Sequence, residues 1–203
     1  MIVKIFNKLR TYRLRLRSFF SSAFMYLYCR LYGITMGKHC RFWNRTIFFR
    51  QPGAQIVIGD HCIFRSDFSS NLIGVTHPCI ISAHTPQTKI IIGDNCAFSG
   101  VSIGAAEKIQ IGKNVLVGAN SVISDFDWHA LDPQNRDNMD LTKKKEVIIC
   151  DNVWIGASCL IFKGVTIGEN TVVGGGSVVT KSLPANTICA GNPCTVIRKL
   201  SQD

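Results

Sequence analysis

The sequence lacks acidic residues in its first quarter, and its first carboxylate is Asp60. Residues 1–50 carry eleven lysines and arginines with no aspartate or glutamate, whereas the rest of the chain has twelve bases against thirteen acids. The net charge of +10 therefore belongs to the N-terminal part of the chain and not to its whole surface.

Long apolar runs are also missing. No run approaches the roughly 18 residues of a transmembrane helix, and no apolar segment with a small-residue cleavage site indicates a signal peptide. The nine cysteines contain no C-x-x-C pair, which argues against a metal site. We therefore expect a cytoplasmic protein with reduced thiols that requires no metal. With 46% hydrophobic residues, the 203-residue chain should form one globular domain with a small appendage.

An aliphatic residue returns every six positions over much of the chain. From Ile149 to Val179 the series is unbroken, and upstream the same step connects shorter groups back to Met36 and Phe42. A period of six fits neither the 3.6-residue turn of an α-helix nor the alternation of a half-buried strand. It predicts coils of three short, flat strands, with the aliphatic residue pointing to the axis and parallel pairing between successive coils.

Two other positions of the repeat have a consistent character. Glycine often follows the aliphatic residue, where we expect it to provide the corner geometry, including positive φ. The fourth residue after the aliphatic is small or β-branched and is predicted to point inward. Four cysteines occupy this position and are predicted to act as small core residues: Cys40, Cys62, Cys96 and Cys159. His39 and His61 fall at matching positions and are predicted to face outward.

The segment "DNVWIGASCLIFKGVTIGENTVVGGGSVVTKSLPANTICAGNPCTVIRKL", residues 151–200, resembles the C-terminal half of hexapeptide-repeat acyltransferases. The resemblance covers roughly residues 34–200 and includes the terminal "AGNP" and "VIR". It implies an all-β fold, a left-handed parallel β-helix. The left hand comes from the resemblance alone, because the general crossover rule favours a right-handed coil. The family further implies a homotrimer with acetyl-CoA bound between adjacent subunits, along the C-terminal coils.

Two segments interrupt the repeat. Residues 71–88 contain His77 and His84 and read as an irregular segment between coils, with no motif to support a pocket. Residues 129–147 are polar, and loops of this length without their own pattern are usually functional or mobile. "DFDWHALDP" resembles the segment that carries the catalytic histidine in sugar O-acetyltransferases of this family. The resemblance implies that His129 is the catalytic base; the alternative is a surface histidine.

Acyl transfer from a thioester to a hydroxyl needs a base, an oxyanion donor and a site for the thioester. Imidazole side chains suit the first role because their ordinary pKa lies near neutrality. Asp125 and Asp127 are close to His129 in sequence, and either could orient the imidazole, although a backbone carbonyl could do the same. The oxyanion donor is predicted to be a backbone N–H. No cysteine lies in a nucleophile motif, so no acyl-enzyme is required.

The resemblance also assigns the positions that contact acetyl-CoA. Lysine and arginine are natural partners of its phosphates, and exposed glycine corners let its pantetheine arm lie close to the backbone. The fold itself accounts for glycines at corners, which is their structural alternative. The matching positions are Trp154, Gly156, Ala157, Gly175, Thr180, Lys181 and Arg198. Some relatives have a second arginine where this chain has Thr195, so Lys199 is a candidate replacement.

Other members of the fold are distinguished on the same residues. A γ-class carbonic anhydrase binds zinc through three histidines, two of them close in sequence, and His129 has no such neighbour. The large N-terminal domains of serine O-acetyltransferases and nucleotide-sugar N-acetyltransferases do not fit into about 30 residues. A xenobiotic O-acetyltransferase remains an alternative, and a non-catalytic β-helix scaffold is the alternative of another class.

The N-terminal segment, residues 1–33, interleaves bases with aliphatic and aromatic residues and is predicted to be helical. Capping the open end of the β-helix is one role for it. Binding to an anionic membrane surface is the other, which would place a cytoplasmic protein at the inner face of the cell membrane. It lacks a recognised nucleic-acid-binding fold, so nucleic acid is not an expected partner.

The sequence therefore predicts an acetyl-CoA-dependent O-acetyltransferase that modifies a sugar hydroxyl in surface polysaccharide biosynthesis. The acyltransferase domain is expected over residues 34–200, with an extended loop at 129–147. Ser99, in "AFSGVS", and Asp127 are the candidate contacts of the acceptor.

Overall fold

The computed structural model describes residues 2–200. One long helix, α1 (Ile2–Leu31), precedes a succession of short strands and two 3-10 helices, Pro133–Asn135 and Met139–Leu141. The strands are β1 (Thr35–Met36), β2 (Arg41–Trp43), β3 (Ile47–Arg50), β4 (Gln55–Ile58), β5 (Ile63–Arg65), β6 (Ile80–Ala83), β7 (Lys89–Ile92), β8 (Ala97–Ser99), β9 (Ser102–Ala105), β10 (Lys108–Ile111), β11 (Leu116–Val117), β12 (Val122–Ser124), β13 (Val147–Ile149), β14 (Trp154–Ile155), β15 (Leu160–Ile161), β16 (Thr166–Ile167), β17 (Val172–Val173), β18 (Val178–Val179), β19 (Thr187–Gly191) and β20 (Cys194–Lys199).

These strands form three sheets that the chain visits in turn. Sheet A has the order β1-β4-β7-β10-β13-β16, sheet B β2-β5-β8-β11-β14-β17-β19-β20, and sheet C β3-β6-β9-β12-β15-β18. Neighbouring strands are parallel except for β19 and β20, which form an antiparallel pair at the C-terminal end. The three parallel sheets, the N-terminal helix and the six-residue repeat fit a left-handed β-helix, here called the prism.

The repeat positions fill the axis of the prism as predicted. Residues of successive coils stack in register, so that Ile58 pairs with Ile92 and Ile92 with Ile111. In sheet B the same axis contains a stack of phenylalanine rings, with centroids 4.9 Å apart for Phe42 and Phe64. Burial of apolar area along this column drives the coils together.

The prediction for the four cysteines is confirmed, because Cys40, Cys62, Cys96 and Cys159 are all buried. Each Sγ lies close to the carbonyl oxygen of a glycine in the next coil, for example 3.2 Å for Cys40 and Gly59. A larger inward side chain would not fit so near the backbone, so these thiols are part of the core packing.

The prediction for the corner glycines is right about their place but wrong about their reason. Positive φ falls three residues after the aliphatic, for example on Asn95 with φ 60°, and asparagine adopts this conformation more readily than most residues. A Cβ on Gly93 would lie 2.6 Å from the Gly112 carbonyl oxygen. Glycine is therefore needed because successive coils nearly touch. His39 and His61 have φ 59° and 58° and take the asparagine's place in their coils.

The observed limits of both interruptions differ from the predicted ranges. The first range, 71–88, contains β6, a regular strand of sheet C, and the irregular segment before it spans residues 66–79. The second excursion begins after Ser124, earlier than predicted, and ends before Val147, which is already part of β13.

Helix α1 covers the N-terminal end of the prism. It runs antiparallel to β2, the edge strand of sheet B, and its hydroxyl groups accept hydrogen bonds from backbone N–H groups of that edge. Ser22 Oγ accepts from Phe42 N at 2.9 Å, and Tyr26 Oη accepts from Cys40 N at 2.8 Å. The buried side chains of α1, such as Met25, pack on the first coil. Among residues 2–200, no helix is both long enough and apolar enough to cross a membrane.

The edge cap formed by α1 leads to a stability prediction. Tyr26→Phe removes the acceptor of the Cys40 N–H and the donor to the Gly37 carbonyl, 2.8 Å from Oη. We expect the free energy of unfolding to fall by about 1–3 kcal/mol, measured by urea denaturation. Tyr12→Phe is the matched control, because Tyr12 is 64% exposed on the same helix and should tolerate the change. Equal stability of the two variants would contradict this role of Tyr26.

Candidate active site

The chain leaves the prism at the end of β12 and returns at β13, and the two ends of this excursion pair with each other. Asp127 N donates to Lys143 O at 2.9 Å, and Lys145 N donates to Asp125 O at 2.8 Å. These bonds form an antiparallel neck. Beyond it, the two 3-10 helices are capped by the side chains of Asp132 and Asn138. The neck fixes where the intervening residues begin and end on sheet C.

His129 lies just past the neck and is exposed. Its Nδ1 is 3.1 Å from the carbonyl oxygen of Arg136, which also accepts from Ala130 N at 3.3 Å. A carbonyl can only accept, so this contact favours the tautomer with the proton on Nδ1. The lone pair of Nε2 is then available to take a proton. The group that orients the imidazole is thus a backbone carbonyl, one of the alternatives open at the sequence level.

Asp125 has another role, which corrects its prediction as an orienting carboxylate. Its side chain is fully buried and accepts hydrogen bonds from Ala106 N at 2.7 Å and Glu107 N at 2.9 Å. Burial raises the pKa of the Asp125 carboxyl, and the backbone N–H groups offset part of that effect. Asp125 ties the neck to the coil below and has no hydrogen bond to His129.

Asp127 also has its hydrogen bond elsewhere than at His129. Its Oδ1 pairs with the ammonium group of Lys163, in the next coil. Its Oδ2 is buried and has no hydrogen-bond partner within the part of the chain that the structure describes. An unused carboxylate oxygen is costly unless a donor reaches it. Lys163 could not be identified from the sequence, because its contact with Asp127 joins positions 36 residues apart.

An aromatic cluster lies beside His129 on the outer face of sheet C. The indole of Trp128 lies over Gly104, where a Cβ would be 2.9 Å from its ring carbon Cζ2. The ring centroid of His84 is 4.9 Å from that of Trp128 and 5.2 Å from that of Phe126. Phe49 extends the cluster at 5.4 Å from His84. The indole itself is half exposed, next to the candidate base.

His84 joins this cluster to the prism. Its Nε2 is 2.9 Å from the hydroxyl oxygen of Ser82. Burial lowers the pKa of His84 below its usual value, because the charged imidazolium would lose hydration among aromatic rings. The sequence showed His84 only as one histidine of an irregular segment. The register that places Ser82 opposite Gly104 could not be read from it.

Ser99, a candidate acceptor contact, lies at the end of β8 in sheet B. Its side chain is buried in the single chain, and its Oγ accepts a hydrogen bond from Asn71 Nδ2 at 3.1 Å. Asn71 belongs to the segment between β5 and β6, so Ser99 anchors this segment to the prism. Its contact with an acceptor stays a prediction.

The positions assigned to the acyl donor fall into three groups. Trp154 and Arg198 are exposed on the outer face of sheet B, in one row with Val172 and Ile188 between them. Three strand spacings separate the indole from the guanidinium position, about 14 Å. This row offers an apolar surface at one end and a positive charge at the other.

The other two groups lie along β18. Gly156, Ala157 and Gly175 meet at the corner between sheets B and C, where a Cβ on Gly175 would be 3.2 Å from the Ala157 carbonyl oxygen. Thr180 and Lys181 are exposed at the opposite end of β18. The structure therefore brings the glycine corner together but separates it from Lys181 by one strand of sheet C.

Within residues 2–200, no cluster of three or more histidine, cysteine, aspartate or glutamate side chains is arranged to hold a metal ion.

Comparison with known proteins supports one family. Residues 146–181 match the family model of the bacterial transferase hexapeptide (six repeats), and residues 108–124 match that of the hexapeptide repeat of succinyl-transferase. These matches support the hexapeptide-repeat acyltransferase superfamily.

Particular relatives share about half of the chain. Galactoside O-acetyltransferase of Escherichia coli (strain K12) is 42% identical over 93 residues, which are 46% of this chain and 45% of that protein. The galactoside O-acetyltransferase of Lactococcus lactis is 41% identical over 93 residues, 46% of this chain and 44% of the relative. The chain thus spans about half the length of the curated relatives it matches.

Among solved structures, AntD, an N-acyltransferase from Bacillus cereus determined in complex with dTDP and coenzyme A, superposes with a TM-score of 0.64. The alignment covers 83% of this chain and 85% of AntD at 22% sequence identity. At this identity the likeness shows a shared fold.

The buried carboxylate in the neck gives a prediction that separates structure from catalysis. Asp125→Ala leaves two backbone N–H groups without their acceptor, so we expect the free energy of unfolding to fall by about 1–3 kcal/mol in urea. Asp125→Asn keeps one carbonyl acceptor and should lose less. If Asp125→Ala instead kept its stability but lost its activity, the carboxylate would be acting on His129 after all.

His84 gives a prediction for pH. The stability that neutral His84 provides is complete above its unfolded-state pKa, about 6.5, and is lost as the pH falls toward its lowered folded-state pKa. The melting temperature should therefore fall below neutral pH, and less steeply in His84→Phe. His39→Asn is the control, since asparagine stands at the equivalent corner of other coils and His39 lies outside the cluster. Parallel pH profiles of His84→Phe and the wild type would contradict this expectation.

Proposed function

We propose that the protein is an acetyl-CoA-dependent O-acetyltransferase that modifies a sugar hydroxyl, in surface polysaccharide biosynthesis, with His129 as the general base. The observation that carries the proposal is the hydrogen bond between His129 Nδ1 and the Arg136 carbonyl, 3.1 Å. It occupies Nδ1 and leaves Nε2, on an exposed side chain, as the ring nitrogen that can exchange a proton with the acceptor. The names of the galactoside O-acetyltransferase relatives support the reaction and the sugar acceptor.

The proposed reaction has one proton carrier. Nε2 of His129 takes the proton of the acceptor hydroxyl while that oxygen bonds to the acetyl carbonyl carbon. The tetrahedral intermediate then collapses with cleavage of the carbon–sulfur bond. His129 returns the proton to the leaving thiolate, so the products are the acetylated sugar and free coenzyme A. A backbone N–H is proposed to stabilise the oxyanion.

The donor is proposed to lie along the C-terminal coils between two subunits of a homotrimer. Exposed apolar side chains on two faces of the prism support such an interface: Leu116 and Trp154 on sheet B, and Leu160 and Phe162 at β15 of sheet C. Scattered exposed apolar residues are common, but several on adjacent faces are typical of subunit contacts. Arg198 and Lys181 would bind phosphates, and the Gly156–Gly175 corner would contact the pantetheine arm.

The acceptor is proposed to bind between His129 and the exposed indole of Trp128. Asp127, which precedes Trp128 in the neck and is partly exposed, is the other candidate contact of the acceptor. Ser99 remains a candidate contact from another part of the trimer. The proposed location is cytoplasmic, peripheral at the inner face of the cell membrane.

Two other functions use the same scaffold. A xenobiotic O-acetyltransferase would share the base and the donor site and would differ in its acceptor. A non-catalytic scaffold would need neither, and it would be favoured if His129→Ala kept full biological activity.

A thiol-release assay tests the proposal. With acetyl-CoA and a panel of sugar, glycan and xenobiotic acceptors, His129→Ala should release free thiol about 10²- to 10⁴-fold more slowly than the wild type, because the general base is lost. Its melting temperature should be unchanged, since His129 is exposed. The His39→Asn variant should match the wild type in both respects. Equal rates for His129→Ala and the wild type, or no release with any hydroxyl acceptor, would refute the mechanism.

A further inference from the structure

Helix α1 has an exposed apolar face along its whole length. Its 30 residues correspond to about 45 Å of helix. Exposed apolar side chains recur at intervals of three and four residues, which places them on one side of the helix. They are Ile2, Ile5, Phe6, Leu9, Tyr12, Leu16, Phe19, Phe20, Phe24, Leu27 and Leu31. We call these residues the apolar stripe.

Most of the stripe points away from the prism, but Phe6 and Leu9 line a groove with Phe68, and Phe19 lines one with Trp43. The opposite side of α1 holds the buried residues Ser18, Met25 and Cys29, which face the first coil. Helix α1 runs along the edge strand β2, and the strands lie perpendicular to the axis of the prism. Helix α1 is therefore also perpendicular to the prism axis. Most of the stripe thus faces outward along the prism axis, beyond the N-terminal end.

Basic residues flank the stripe on both sides. At 100° per residue, Lys4, Lys8 and Arg15 fall on one side of the stripe and Arg10 and Arg17 on the other, while Arg13 and Arg30 fall within it. Arg17 is paired with Asp67 at 3.0 Å, and Arg10 donates to the Ser69 carbonyl oxygen at 2.8 Å. An apolar face bordered by lysine and arginine is typical of helices that lie in the interface of an anionic bilayer.

The charge pattern argues against a second copy of this chain on the same face. Residues 1–50 contain eleven bases and no acid, so two stripes packed together would bring like charges into contact. An anionic lipid surface supplies both the apolar environment and the opposite charge. It is the occupant whose chemistry matches the stripe and its borders together.

We infer that α1 lies in the interface of an anionic lipid bilayer by its apolar stripe, with its other face closing the prism and the prism axis perpendicular to the membrane. The excursion that carries His129 leaves sheet C in the fourth coil, after β12. Three coil spacings and the thickness of the helix put the candidate base about 15–25 Å above the bilayer. This choice of acceptor rests on the proposed function: the geometry favours a glycan that is anchored in the same bilayer as the acceptor class.

Vesicle co-sedimentation of the full-length protein tests the inference without acceptor or acetyl-CoA, so its outcome is independent of catalysis. Binding should be strong to phosphatidylcholine vesicles that contain phosphatidylglycerol, weak to phosphatidylcholine alone, and reduced by salt. Lys4→Gln and Lys8→Gln should each weaken binding about fivefold. Equal binding to neutral and anionic vesicles, or none to either, would overturn the inference.

The contribution of the stripe is tested with point variants. A deletion of α1 would not be informative, because the helix is also part of the fold. Leu9→Gln combined with Phe20→Gln, both at the centre of the stripe, should weaken binding by more than about tenfold. Leu72→Gln combined with Ile73→Gln is the matched control, since both side chains are well exposed away from α1. Unchanged binding of the stripe variant, or a change in its oligomeric state without vesicles, would overturn the inference; the latter would indicate a second copy as the occupant.

The orientation can be tested with brominated lipids, which quench tryptophan fluorescence inside the bilayer. Trp128 and Trp154 belong to the excursion and to β14, remote from α1, and should be little quenched; Trp43 lies in β2 beside α1 and is replaced by phenylalanine in this experiment. Phe20→Trp should add emission that is strongly quenched. Quenching of the native tryptophans to the same degree would contradict the perpendicular orientation.

Discussion

The contact between successive coils at the corners is the constraint on which the rest of the structure depends. At Gly93, a single added carbon would lie 2.6 Å from the carbonyl oxygen of the coil above. Stacking this close requires that every coil repeat the path of its neighbour, and asparagine in the left-handed region makes the turn possible. Side-chain amides reinforce it, with Asn114, Asn152 and Asn170 joined at 2.9 and 3.0 Å. A scaffold so regular offers little variety on its faces, so chemistry depends on segments that leave it.

The excursion between β12 and β13 is such a segment, and its placement is controlled by buried polar contacts. The Asp125 carboxylate binds two backbone N–H groups of the preceding coil, and Lys163 holds Asp127 from the following one. The neck is thus connected to coils on both sides. His129 then takes its orientation from a carbonyl within the excursion. The orientation of His129 is thus a local arrangement supported by the rigid prism.

The repeat made the fold and much of its core readable from the sequence. A period of six gave the inward positions of Ile58, Ile92 and the four slot cysteines, because burial of a coil's interior depends only on position within the repeat. The contacts of the candidate site were less accessible. Asp125 lies 19 residues from Ala106, and only the register of the coils brings the two together. The aromatic cluster around His84 has the same origin, since it joins side chains from separate coils and from the excursion.

Both ends of a stack of strands expose unpaired backbone groups, which natural proteins must cover. Here β20 closes one end as an antiparallel strand, and hydroxyl groups of α1 close the other. Because the coils between these ends are interchangeable in their spacing, the prism works as a ruler graduated in units of about 4.8 Å. Gain or loss of a complete coil between α1 and β12 would move His129 relative to α1 by about 4.8 Å without changing either end. The height of the excursion above the end covered by α1 could therefore be adjusted in this scaffold without changing the residues of the excursion.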